Sequence, residues 1–306
     1  MLIERAQIAA KLESEEGTAE TLTNAEALLV FNPKFNPEIE QFRRNPVRST
    51  LSQLASVSGK RRATLEFDVE LKGSGTKGTP PEYGDLLKAC KMSETIVAVT
   101  SVTYAPASSG DSSITLALYE DGVCYKMWGA RGDMSLKLKA GEPVMIHFVF
   151  TAADFSVTDV ALLTGCSYDA TIPQPFMNAS FQVSSYSAIV ENLDLALKNK
   201  VALRPSANAA SGHLSAVITN REPGGSLDPE MVLVATEDFF GDWRSGTTGA
   251  LTATIGSVAG NIATITAPAV RYTGISPADR EGIRTLGLDF DLAMSSGDDE
   301  LSIALT

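Results

Sequence analysis

Between Ala63 and Gly73 the chain reads ATLEFDVELKG and alternates without a fault. Leu65, Phe67, Val69 and Leu71 fall on one side of an extended backbone; Thr64, Glu66, Asp68 and Glu70 fall on the other. A period of two predicts a strand with one face for a core. The other face carries three carboxylates in file, about 7 Å apart at strand rise. Like charges in file repel. Either a basic partner faces them, or the negative face is itself what the strand is for.

The alternation recurs along the chain. Glu94 to Tyr104 predicts strands. SITLALYEDGVCYKMWG predicts a hairpin turned at Asp121-Gly122, and DMSLKLKAGEPVMIHFVFTA a second turned at Ala140-Gly141. Asp85 to Met92 predicts a short helix. Pro33, Pro37 and Pro46 exclude a continuous helix or central strand from residues 31–62, which read as a long loop or hairpin. From about Thr164 the plan starts again. Pro175 to Ser185 stands where Leu28 to Asn36 stood, and Tyr186 to Gly212 is a long connection. His213 to Asn220 alternates as Leu65 to Leu71 does, and Glu222 to Ser226 is a Gly/Pro break. Ala250 to Ala267 is a hairpin around Ala259-Gly260-Asn261. Leu286 to Met294 (LGLDFDLAM) takes the place of Val144 to Phe150 and sets Asp289 and Asp291 opposite Leu288, Phe290 and Leu292. The expected fold is mainly β, with two like domains at 1–165 and 166–306. Each would be a barrel or sandwich with one short helix.

Composition narrows the function. The 306 residues are 44% hydrophobic, enough for one large or two medium cores. A formal net charge of −12 excludes a sequence-reading DNA-binding protein, which needs a basic footprint. Cys90, Cys124 and Cys166 have neither zinc spacing nor a disulfide framework, and reduced thiols are expected. The first residues lack the apolar stretch of a secretory signal, and no run of eighteen apolar residues exists, so no membrane span is expected. Charge is unevenly placed. Residues 1–30 read as an arm in which Glu4, Glu13, Glu15, Glu16, Glu20 and Glu26 outnumber Arg5 and Lys11. Residues 31–62 carry Lys34, Arg43, Arg44, Arg48, Lys60, Arg61 and Arg62 against Glu38 and Glu40. These are either two solvated segments or an arm and a loop that meet across a subunit boundary.

Motifs for chemistry are weak. Gly73, Gly75 and Gly78 match G-x-G-x-x-G, but Thr79-Pro80-Pro81 follows where a helix should begin. Arg131-Gly132-Asp133 spells an adhesion tripeptide inside a hairpin. His147 reads as a satisfied sheet histidine, and His213 lies far from it with no Cys/Asp cluster, so neither metal nor cofactor is expected. No serine–histidine–acid motif stands out, and Glu66, Asp68 and Glu70 share one strand instead of facing each other across a cleft. An enzyme is not expected.

Several stretches resemble the tail tube (major tail) proteins of long-tailed bacteriophages: IAAKLESEEGTAETLTNAEALLV, LEFDVELKGSGTKGTPPEYGDLLKAC, YEDGVCYKMWGARGDMSLKLKAGEPVMIHFVFT and RTLGLDFDLAMS. The resemblance covers most of the first half and the last forty or so residues. It implies a β-barrel or sandwich core, rings stacked into a tube, and a lumen that conducts DNA. It also implies a place in the virion tail after assembly in the host cytoplasm, and tape-measure, tail-terminator and distal tail proteins as partners. The chain is longer than one tube domain. Either a second tube domain is fused on, or an immunoglobulin-like decoration follows.

Two tandem tail-tube-like domains with long inter-subunit loops would fill six ring positions with three chains, a trimeric pseudo-hexamer; six chains per ring is the alternative. Glu66, Asp68, Glu70, Asp289 and Asp291 are then candidates to face the lumen, where double-stranded DNA passes without specific binding. In the other reading they lie outside, paired with Arg61, Arg62 or Lys72 of a neighbour. Lys34, Arg43, Arg44, Arg48, Lys60, Arg61 and Arg62 are candidates for contacts between subunits. The competing function is a β-rich binding module on a cell surface or decorating a virion.

Overall fold

The structure is a computed structural model that describes residues 5–306; Glu4 of the acidic arm lies outside them. The first half runs β1 (Ala6–Leu12), β2 (Ala27–Leu28), β3 (Phe31–Phe42), β4 (Val57–Glu70), helix α1 (Gly84–Ala89), β5 (Met92–Val97), β6 (Ser101–Pro106), β7 (Ile114–Glu120), β8 (Val123–Lys139), β9 (Met145–Ala152) and β10 (Asp154–Asp159). The second runs β11 (Ser180–Val183), β12 (Asn192–Ala196), β13 (Asn199–Pro205), β14 (His213–Arg221), β15 (Gly224–Leu227), helix α2 (Phe239–Ser245), β16 (Gly249–Ile255), β17 (Ala263–Arg280), β18 (Ile283–Ala293) and β19 (Ser302–Leu305).

The predicted alternation is realised in β4, where Ala63, Leu65, Phe67 and Val69 are buried and the residues between them are partly exposed. The predicted turn at Asp121-Gly122 has both residues at positive φ (41° and 107°), as a two-residue hairpin requires. β3 holds Pro33 and Pro37 and, among the described residues, forms a ladder with β4 alone, an edge position where a missing amide is tolerated.

The pairing follows one order in each half. In the first, β1, β7, the start of β8 and β10 lie side by side, while β3, β4, β9 and the end of β8 form a second layer. In the second, β11, β16, the start of β17 and β19 lie side by side, while β12, β15, β18 and the end of β17 form the other layer. β8 passes between layers by bending at Gly129 (φ 61°), where a Cβ would sit 3.1 Å from that of Ala153. Two ladders join the halves. The end of β8 (Ser135–Lys139) pairs with β12, and β6 pairs with β19.

The core runs through both halves. Phe67, Phe148 and Phe150 have ring centroids 5.8–5.9 Å apart. Leu136 and Leu138 meet Leu195 and Leu193 across the β8–β12 ladder, all buried. Fully burying such a side chain contributes about 1.5–3 kcal/mol. α1 presses Leu86 and Leu87 into this core. All three cysteines are free.

Some expectations need correction. The mainly-β class holds, but the strands do not close into a barrel. β3 and the end of β17 stand at opposite ends of one open row (β3, β4, β9, β8, β12, β15, β18, β17). At the usual strand spacing those ends are on the order of 30 Å apart. The Gly/Pro break is only Glu222-Pro223, because Gly224–Leu227 forms β15. The connection Tyr186 to Gly212 contains β12 and β13. β11 takes the place of β1 rather than of β3.

Candidate functional site

The open eight-strand row has one face on the core and one face free. Alternation along each strand decides which side chains reach the free face. From β4 these are Glu66, Asp68 and Glu70; from β18, Asp289 and Asp291, both exposed. Between them lie Asp133, Ser135, Lys137 and Lys139 of β8 and Asp194 of β12. Cross-strand register makes the face continuous: Asp68 stands opposite His147, His147 opposite Ser135, Ser135 opposite Ala196, Ala196 opposite Gly224, and Gly224 opposite Asp291. Both acidic sets singled out in the sequence therefore share one surface.

The acids are not bare. Glu66 lies 2.6 Å from Lys34 Nζ of β3. Asp68 lies 2.7 Å from His147 Nδ1 and accepts a 3.1 Å bond from Asn32 Nδ2. Partial burial pushes Asp133 above the ordinary carboxyl value, although it accepts the backbone N–H of Asn199. Burial also raises Asp194; Lys137 opposes the shift and Asp228 adds to it. The strand positions of this face bring Glu66, Asp68, Glu70, Asp133, Asp194, Asp289 and Asp291 against Lys34, Lys137, Lys139 and Arg271, an excess of negative charge. Midway across, Ser226 and the glycines of β15 leave a shallow depression of about 330 Å³ beside Lys198 and Asp194.

The basic candidates divide. Lys34 pairs with Glu66, Arg61 with Asp154 at 2.5 Å and Arg62 with Glu38 at 2.6 Å, all within the chain. Lys72 donates to the Asp169 carbonyl at 2.8 Å. Lys60 lays its stem along Gly212. Arg43, Arg44 and Arg48 sit in the exposed loop between β3 and β4 and form no ion pair among the described residues.

The arm is less free than its charge suggested. Glu13 accepts bonds from Ser113, Thr115 and the Gly129 amide. Glu16 accepts from Arg131 (2.8 Å), Ser215 (2.7 Å) and Arg204 (3.4 Å). Burial raises the Glu16 carboxyl, but the Ser215 and Arg131 bonds outweigh it and hold it below its ordinary value. This cluster ties the β13–β14 hairpin onto the first half. Sequence reading missed it because its members are 85 to 199 residues apart. It also buries Arg131, so Arg131-Gly132-Asp133 is not an exposed adhesion loop. The glycine-rich segment opens no helix, since α1 begins only at Gly84.

A search among curated proteins returns no match. A family model described as phage tail tube protein matches residues 4–293, nearly the whole chain. The match agrees with the mainly-β fold described above. The chain belongs to the phage tail tube protein family, the structural proteins that assemble copy on copy into the tube of the virion tail.

Proposed function

We propose that this protein forms the wall of the tail tube as trimeric rings of pseudo-sixfold symmetry, and that the free face of the eight-strand row lines the channel for DNA. Each chain supplies two tube units, 1–165 and 166–306. The observation that carries the reading is the continuity of the acidic face. Glu66, Asp68 and Glu70 of one half and Asp289 and Asp291 of the other lie on a single surface. Duplex DNA carries about one negative charge per 1.7 Å. A basic wall would hold it; a wall with excess carboxylate keeps it centred and lets it pass. The Lys34–Glu66 and His147–Asp68 pairs moderate the field without reversing it. Tape-measure, tail-terminator and distal tail proteins are the partners this role calls for, with assembly in the host cytoplasm.

Two measurements test it. Native mass of isolated rings should give three chains; six would replace the trimer with a hexamer. Glu66→Lys, Asp68→Lys and Glu70→Lys together should leave tubes assembled and slow DNA ejection. Unchanged ejection rates from such particles would remove these residues from the channel.

A further inference from the structure

Each half carries an α-helix at the same place in its order. α1 lies between β4 and β7, α2 between β15 and β16, and β7 and β16 hold corresponding places in their layers. The two helices are finished differently. α1 buries Gly84, Leu86, Leu87 and Ala89. Of α2 only Phe239 is buried. Phe240 and Trp243 stay 39% and 42% exposed, and Leu233 and Val234 of the segment leading into α2 are more exposed still. Single exposed apolar residues need no explanation, but a cluster on one short segment marks a surface that binds something. Beside α2 lies an open groove of about 460 Å³, lined by Asp238, Phe240, Gly241, Trp243 and Arg244.

The same segment concentrates negative charge. Burial first, then the repulsion of Asp242 and Asp238, raises the Glu237 carboxyl above its ordinary value. Asp238 is engaged in capping α2, where it accepts the Gly241 amide at 2.8 Å. Among the described residues the carboxylates of Glu237 and Asp242 form no hydrogen bond or ion pair. Beneath them Tyr272 of β17 packs edge-on against Phe239, with ring centroids 6.0 Å apart. Tyr272 is 4% exposed, yet its hydroxyl has no partner in hydrogen-bonding geometry, although Ser184 is near. Burial raises that hydroxyl, and the charges of Glu237 and Asp242 raise it further, so it faces the acidic cluster. Two carboxylates and the lone pairs of a hydroxyl are all acceptors. The group that suits them is a donor with positive charge.

The walls narrow the class of that group. No three His, Cys, Asp or Glu side chains among the described residues are arranged to hold a metal ion. Phe240 and Trp243 give the groove an aromatic side, on which a guanidinium can stack while it donates to carboxylates. We propose that this groove binds an arginine-bearing, apolar segment of a different protein, once per chain. That the partner is not a second copy follows from the asymmetry. Contacts repeated between copies use surfaces that both halves share, and α1 is sealed where α2 is open. Such a site occurs once per chain whether a ring holds three chains or six.

The probe is an amidated hexapeptide alternating arginine and leucine; the control carries glutamate in place of arginine. In a Trp128→Phe chain Trp243 is the only indole, so its emission reads this groove alone. The work is done at about 0.15 M ionic strength, where loose attraction to the acidic sheet is screened. The arginine peptide should shift Trp243 emission in the free chain and in assembled tube alike, and the glutamate peptide in neither. Glu237→Gln with Asp242→Asn should weaken binding by about tenfold or more. The thermal midpoint should not fall, because the pair of changes removes repulsion. No emission change with the arginine peptide overturns the site, as does equal affinity in the double variant. Binding to the free chain but not to the tube assigns the groove to a contact between copies and overturns the different partner.

Discussion

Arg131 places its Nη1 2.8 Å from the Glu16 carboxylate, and the same nitrogen donates to the carbonyl of Ala216. One side chain, only 4% exposed, thereby holds the N-terminal arm and the β13–β14 hairpin together. Arg131→Met removes two charge-assisted bonds while Ser215 and Arg204 remain on Glu16. We expect a loss of about 1.5–3 kcal/mol in denaturant unfolding. Arg131→Lys should recover little of it, because an ammonium is more strongly hydrated than a guanidinium and costs more to bury at this site.

The same cluster sets a pH response. The Glu16 carboxyl titrates lower in the folded chain than its ordinary value of 4.5. Its contribution is therefore complete above that value and is lost as pH falls through the lower, folded one. Asp298, lowered from 3.8 by Ser108 and then Arg221, adds a response of the same sign. Limited proteolysis between residues 199 and 221 should accelerate as pH drops below about 4. Glu16→Gln should cut at a rate with a weaker dependence on pH over that range.

The strands of the second half beside the β8–β12 junction offer a steric test. A Cβ at Gly225 would lie 2.0 Å from the Asp194 carbonyl oxygen of β12 and 2.9 Å from the Phe290 ring of β18. Neighbouring backbone on one side and core on the other leave no room to give. Gly225→Ala should destabilise by about 1–3 kcal/mol, as overpacking does. Leu195→Ala on the adjacent strand removes buried volume instead and should cost about 2–5 kcal/mol. Thermal unfolding of the two variants measures both.

For the second acidic pair, Asp289→Lys with Asp291→Lys should slow DNA ejection most at low salt. The screening length is about 30 Å at 0.01 M and about 10 Å at 0.1 M ionic strength, so added salt should restore much of the rate. An effect that does not change with salt would mean that these residues act through packing and not through their field.

The sequence revealed local features well and long-range ones poorly. β4 and the turn at Asp121-Gly122 were legible because alternation and turn chemistry are written in neighbouring residues. The acids of β4 and β18 were legible as pairs of strands with one polar side, but not as one surface. That depends on the β8–β12 ladder, whose members are more than fifty residues apart. Lys34 was grouped with the loop bases by composition, yet the register of β3 on β4 sets it beside Glu66. The arm looked free because its charge is visible and its partners, Arg131, Ser113 and Ser215, are remote.

β8 belongs to both layers of the first half: its start pairs with β7 and β10, its end with β9 and β12. The core side chains of β8 are odd-numbered before the bend (Tyr125, Met127) and even-numbered after it (Met134, Leu136, Leu138), because one extra residue at the Gly129 bend shifts the alternation; beyond it the period of two holds to Lys139. Deleting a single residue between Gly129 and Ser135 would turn Leu136 and Leu138 outward and Lys137 and Lys139 into the core. The β12 ladder would have to slip with them or break. The phase of the charged surface is thus fixed by chain length inside one strand. Its charges can be exchanged one at a time by substitution, whereas a one-residue insertion or deletion in β8 would invert inside and outside together.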